Sequence, residues 1–275
     1  MLKINDLLQE AGHVFRSKSG KGLLPLCLFA LLVFPACGNA DTAAPPVSPA
    51  AVKKASDTIP SYALVSKDYL LGKFDPSKHP DFVAVGRPYA DKPGMMLRKE
   101  AFEAFQKMWE SAQKDGISLK IISSTRTFNQ QKSIWEGKWE RFAMQTPAPK
   151  NRALKILEYS SMPGSSRHHW GTDLDLNDLN NPSFEQGGKY QKVYEWLSAH
   201  AHEYGFCQPY TAGRPNGYHE EKWHWSYTPL SKPFLAQYKA NIRDSDIKGF
   251  QGANLASEIG AIKHYVFGIN PDCGN

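Results

Sequence analysis

The sequence is short of cysteine, of any long apolar run and of charge of a single sign. Each shortage removes a class of protein. The longest apolar stretch, "LLPLCLFALLVFPAC" from Leu23 to Cys37, holds roughly a dozen apolar residues, where a membrane-spanning helix needs about 20. The formal net charge is only +6, and Lys3, Arg16, Lys18 and Lys21 sit in the N-terminal segment. The remaining cations are dispersed without a basic stripe, which argues against a nucleic-acid partner. No glycine-rich phosphate loop, regular βαβ rhythm or internal repeat is present. Helices and short strands interleave instead, so the expected fold class is α+β. With 275 residues, 41% of them hydrophobic, the chain can bury the core of one or two domains.

The N-terminus has the order of an export signal: cations up to Lys21, then the apolar run, then Phe34-Pro35-Ala36-Cys37-Gly38. That last stretch resembles a bacterial lipobox, with Cys37 acylated as the mature N-terminus; ordinary cleavage after Ala40 is the alternative. Residues 1–37 are therefore expected to be a signal peptide. Residues 38–61, rich in Ala, Pro, Ser and Thr, read as a flexible tether, and 62–275 as the folded domain. Of the four cysteines, only Cys207 and Cys273 fall in the folded part. An oxidising compartment favours a bridge between them.

Within the domain, Leu97, Ala101, Phe105, Met108, Trp109 and Ala112 recur at helical spacing, with Gly116 as the stop. Ile117, Leu119 and Ile121 alternate as a strand. A second helix is expected from about Phe128 to Gln145, with Trp135, Trp139 and Phe142 inward. A third covers roughly Lys189 to Tyr204, and short strands are expected near 172–176, 206–210 and 222–227.

The chemistry concentrates in "SSRHHWGTDLDLND", residues 165–178, and "EEKWHWSY", residues 220–227. On a strand, Leu174 and Leu176 face the core while Asp173 and Asp175 share the opposite face. Like charges side by side are costly there unless a cation neutralises them. In the second segment His224 and Ser226 share one face, and Glu221 lies three positions before His224. His168, one aspartate and His224 can thus converge from separate segments. Two neutral imidazoles and a carboxylate, with a fourth position for water, form a catalytic zinc arrangement. His169, beside His168, points elsewhere if the segment is extended.

The spacing Ser166-x-His168-x-x-Gly171-x-Asp173-x-Asp175, followed by Glu221-x-Trp223-His224-Trp225, resembles the D-alanyl-D-alanine carboxypeptidase family of zinc peptidases, in the lysostaphin, D-Ala-D-Ala metallopeptidase and sonic hedgehog group. Asp173 departs from the small residue usual there. The resemblance implies that His168, Asp175 and His224 are the zinc ligands and Glu221 the catalytic base. Upstream, "SSTRTFNQQ" resembles the family's segment with an arginine and, five positions later, a glutamine: Arg126 and Gln131. Arg126 is implied to hold the substrate's terminal carboxylate or the developing oxyanion, and Ser166 and Gln131 to hydrogen-bond substrate. The implied fold is a hedgehog/DD-peptidase-like α+β domain, with a small antiparallel sheet flanked by helices. The implied activity is removal of C-terminal D-alanine from peptidoglycan stem peptides, of D,D or L,D type. The expected location is the bacterial cell envelope, on a lipid anchor facing the periplasm. The alternatives are a cross-link endopeptidase and a non-catalytic, zinc-containing wall-binding lipoprotein. Glu221 argues against the latter, since binding alone needs no base.

Overall fold

The computed structural model describes residues 64–274. The expected signal peptide, Cys37 and the tether lie outside the described residues. After a short helix α1 (Lys67–Leu70), two strands, β1 (Phe82–Val85) and β2 (Met95–Arg98), form an antiparallel pair of their own. Helix α2 (Lys99–Lys114) follows directly. Leu97, expected at a helix start, is instead a buried residue of β2. The inward positions of α2 are Ala101, Phe105, Met108 and Ala112, a single apolar stripe. Gly116, at φ 72°, then reverses the chain.

Strand β3 (Ile121–Ser123) is shorter than the expected alternation from Ile117, although Leu119 and Ile121 are fully buried. Helix α3 (Phe128–Arg141) opens on a reciprocal cap: Thr127 Oγ1 accepts from the Gln130 N–H, and Gln130 Oε1 accepts from the Thr127 N–H. It stops four residues short of the expected Gln145. Arg152, on the next helix α4 (Pro149–Ile156), donates to the carbonyls of Ala143, Thr146 and Pro147, and so satisfies the loop carbonyls that follow the end of α3.

The second sheet has the order β3-β4-β6-β5, all antiparallel, with β4 at Asp173–Leu176, β5 at Phe206–Cys207 and β6 at His224–Tyr227. Leu174 and Leu176 join a core with Phe105 and Met108 of α2 and with Val193 and Leu197 of α5 (Gln191–His200). A second core gathers Tyr69, Trp135, Trp170 and, from α6 (Thr228–Asn241), Phe234 and Tyr238. A disulfide joins Cys207 to Cys273, 66 residues apart. Among the described residues no helix is long and apolar enough to cross a membrane. The fold is thus mixed α+β, with small antiparallel sheets flanked by helices.

Candidate metal centre and cleft

Residues 167–170 form a single 3-10 turn rather than an extended segment, and Gly171 closes it at φ 75°. A 3-10 turn sets neighbouring side chains about a third of a revolution apart, so His168 and His169 part company. His169 Nε2 accepts from the Gly164 N–H at 3.0 Å, which makes Nδ1 the protonated nitrogen; Nδ1 donates to the Arg126 carbonyl at 2.6 Å. Burial lowers its pKa to about 3 and keeps the ring neutral. The Arg126 N–H in turn donates to the His168 carbonyl at 3.0 Å. His169 is therefore a brace that fixes the chain at Arg126.

His168 faces the other way. Its Nδ1 lies 2.8 Å from the Ser124 carbonyl, which assigns the proton to Nδ1 and the lone pair to Nε2. Nε2 is buried without a hydrogen-bond partner, 3.3 Å from Asp175 Oδ1. Burial, then the Arg126 charge, depresses the His168 pKa. Asp175 stands opposite His224 in the β4–β6 register, and Asp173 stands opposite Ser226. His224 Nδ1 is 3.0 Å from Asp175 Oδ1, and its Nε2 is 2.9 Å from Asp173 Oδ2. Burial disfavours charge on His224, but hydrogen bonds to Asp173 and Asp175 prevail and raise its pKa to about 9.

Asp173 answers the question of two aspartates on one face. It is fully buried and takes the Arg167 Nε–H at 2.9 Å, the Thr172 hydroxyl at 2.6 Å and the Ser226 hydroxyl at 2.9 Å. Burial alone would raise its pKa, yet Arg167 and then His224 hold it well below the usual carboxylate range. Arg167, itself buried, also donates to Ser226 Oγ and lies over the Trp170 ring. Arg167 was not foreseen as the neutralising cation, although it is one residue from His168.

One donor atom each from His168, Asp175 and His224 lies within 4.8 Å of the others. This set passes a chemical test for a metal. Ser124 and Asp173 occupy the far ring nitrogens, leaving His168 Nε2 and His224 Nδ1 to face Asp175. Such outer partners fix imidazole tautomers at metal sites. An orphaned buried imidazole nitrogen and a carboxylate kept ionised, with two nitrogens and one oxygen as donors, suit zinc.

Glu221 is buried beside the triad, its Oε2 3.6 Å from His224 Nδ1. The Glu221 N–H donates to the Tyr210 carbonyl and Gln208 Nε2 donates to the Glu221 carbonyl, which hold the bend before β6. Burial raises the Glu221 pKa to about 8; a nearby cation would favour its ionised form. Arg126 Nη2 is 4.0 Å from Asp175 Oδ2, and its Nε is buried without a partner. These groups open into a cleft of about 500 Å³ walled by Arg126, Lys138, Asp175, Glu221, Trp223 and the segment 179–182. A much smaller cavity, between Arg126, His168, His224, Tyr210 and Tyr218, adjoins it.

Two residues with implied substrate roles sit elsewhere. Ser166 is buried at the head of the 3-10 turn, and Gln131 is buried with Nε2 donating to the Ser161 carbonyl at 2.8 Å. Neither borders the cleft or the smaller cavity. Conversely, Lys138 and Ser160 reach the cleft without having been anticipated. The available signal was helical phase, since Lys138 lies seven residues after Gln131 on α3.

Residues 94–230 match the family model described as "VanY: D-alanyl-D-alanine carboxypeptidase". A Bacillus subtilis (strain 168) protein provisionally named a carboxypeptidase, YodJ, is 29% identical over 177 residues, covering 60% of this chain and 59% of that protein. A D-alanyl-D-alanine carboxypeptidase of Enterococcus faecalis (strain ATCC 700802 / V583) is 24% identical over 127 residues, 46% of each. The chain thus spans about half the length of these relatives, 59% and 46%. Among solved structures, a variant of the vancomycin resistance D,D-pentapeptidase VanY in complex with Zn(II) is 19% identical, with a TM-score of 0.45. That match covers 60% of this chain and 88% of the other.

Proposed function

Over residues 94–230 the chain belongs to the VanY D-alanyl-D-alanine carboxypeptidase family, and from this premise we propose that it is a zinc-dependent carboxypeptidase removing the C-terminal D-alanine of peptidoglycan stem peptides. The observation that carries the proposal is the convergence of His168, Asp175 and His224 donors at one point, with the buried Glu221 carboxyl beside them in an open cleft. His168, Asp175 and His224 would hold the ion. Zinc supplies Lewis acidity there, polarising the scissile carbonyl and making water acidic enough to attack near neutral pH.

The chain's own groups do the rest. Glu221 takes the proton of the attacking water and delivers it to the leaving amine. Arg126, braced through His168 and His169, donates its guanidinium fork to the oxygen on which negative charge develops or to the substrate carboxylate. Gln131 and Ser166 are proposed to contribute to substrate binding from behind the cleft wall, through the Ser161 segment and the His168 turn. Cys37 is proposed as the lipid-bearing residue that places the domain at the cell envelope. Labelled fatty acid should enter the wild type but not Cys37→Ala; equal labelling removes the anchor.

The deciding experiment for the activity uses Glu221→Gln. The amide keeps the shape but cannot accept the proton, so zinc content should stay at the wild-type level while turnover of a D-Ala-D-Ala stem peptide falls by about 100-fold or more. Near-normal turnover in this variant would reject Glu221 as the base. Wild type cutting cross-linked stems as fast as free ones would replace the carboxypeptidase by an endopeptidase.

A further inference from the structure

On the face of α3 that carries Gln131, Lys138 follows two turns later and enters the cleft. It is half-buried, its ammonium donates to the Ser160 hydroxyl, and it forms no ion pair with a carboxylate of the described residues. Burial disfavours this charge and Arg141 and Arg126 repel it, while Glu221 across the cleft offsets part of that cost. Arg126 shares the cleft with its Nε unpartnered. The acids lining the same cleft are Asp175 and Glu221. In the carboxypeptidase reading both are committed, one to the ion and one to the proton. With a dication present, the two cations of the cleft wall therefore exceed its available anions. A half-buried ammonium whose one neighbouring acid is committed to proton transfer keeps part of its desolvation cost, and a ligand anion removes it.

We propose that Lys138, anchored on Ser160, is a specificity-determining residue that pairs with a carboxylate of the bound peptide. The inference rests on the carboxypeptidase reading. A peptide offers such a group in two places: the free terminus of the residue being released, or an acidic side chain nearer the N-terminus. Both present the same oxygens to an ammonium.

The test uses the purified, zinc-loaded full chain and three stem-type peptides ending in D-Ala-D-Ala. One has a free terminus and an acidic residue upstream, the second a terminal amide, the third an amidated acidic side chain. Wild type should prefer the first peptide over one of the other two by about 10- to 100-fold in kcat/KM, the range of a charge-assisted hydrogen bond. In Lys138→Met that ratio should collapse by about tenfold or more, and Lys138→Arg should restore part of it. Collapse of the terminal-amide ratio assigns the terminus, and collapse of the side-chain ratio assigns the upstream acid. A residue that merely braced Ser160 would lower all three rates together and leave the ratios alone. Lys138→Gln, which keeps a donor for Ser160, repeats the comparison if the methionine variant fails to fold. Wild-type ratios retained in the variants overturn the role of Lys138 while leaving the peptidase standing. Cleavage of none of the peptides by wild type overturns the carboxypeptidase reading and this inference with it.

Discussion

At the scale of the residue, the two aspartates of β4, two positions apart, differ in surroundings: one is saturated by structural partners and the other faces the candidate metal point. Asp173 is saturated by Arg167, Thr172, Ser226 and His224 Nε2, whereas Asp175 faces the two inward imidazole nitrogens. Asp173→Asn leaves a buried guanidinium without its counter-charge, which should cost about 3 kcal/mol of stability by urea unfolding. It also loosens the tautomer of His224, so zinc affinity should fall by about 10- to 100-fold. Asp175→Asn removes a proposed ligand and should weaken zinc by a larger factor in chelator competition, with the smaller effect on folding. The opposite order of zinc loss would make Asp173 the ligand. His168→Ala and His224→Ala should each lose the metal; full zinc occupancy in either would sink the triad.

At the scale of the element, the site depends on how abruptly the 3-10 turn at 167–170 becomes β4. Gly171 makes that change at φ 75°, and a Cβ there would come within 2.5 Å of the Phe82 ring and 3.1 Å of Arg98 Cγ. Gly171→Ala should therefore destabilise by about 2–4 kcal/mol, combining left-handed strain with overpacking, and should weaken zinc binding because His168 rides on the same turn. Unchanged unfolding and zinc affinity would show that Phe82 yields freely. What the sequence disclosed follows the same logic of local pattern. The stripe of α2, the Leu174/Leu176 alternation and the His224/Ser226 face are periodic, and periodicity survives into the fold. The β1–β2 pair did not announce itself, because "FVAV" and "MMLR" lack alternation and their partners are set by tertiary contact. Helix α6 was hidden by Pro229 and Pro233, the first of them at a helix start where proline is well tolerated. The candidate metal triad stood out in the sequence as a motif, while its supports, Arg167, Ser124 and His169, become visible only once the turn is folded.

At the scale of the whole molecule, the Cys207–Cys273 bridge ties the end of the chain to β5, the strand that pairs with β6 and hence flanks His224. The Asn270 N–H donates to the Pro209 carbonyl at 2.8 Å, and Asn270 Nδ2 reaches the Gln208 carbonyl at 3.3 Å. Gln208 also holds the Glu221 carbonyl. The C-terminal segment thus supports the loop that presents Glu221, from outside the candidate metal triad. Closing a loop across 66 residues restricts the unfolded chain by about 4 kcal/mol in the loop-entropy account. Reducing the bridge, or replacing both cysteines by alanine, should lower the unfolding free energy by roughly that amount. Zinc stoichiometry should survive, since His168, Asp175 and His224 are aligned by β4–β6 pairing and by Ser124 and Asp173 rather than by the bridge. Turnover should suffer more than metal binding, because Glu221, the proposed proton acceptor, sits on the loop that loses its backing. Denatured, unreduced protein should show no free thiol at either position. Free thiols there would remove the bridge, and parallel loss of zinc and stability on reduction would show that the C-terminal segment holds the metal site itself.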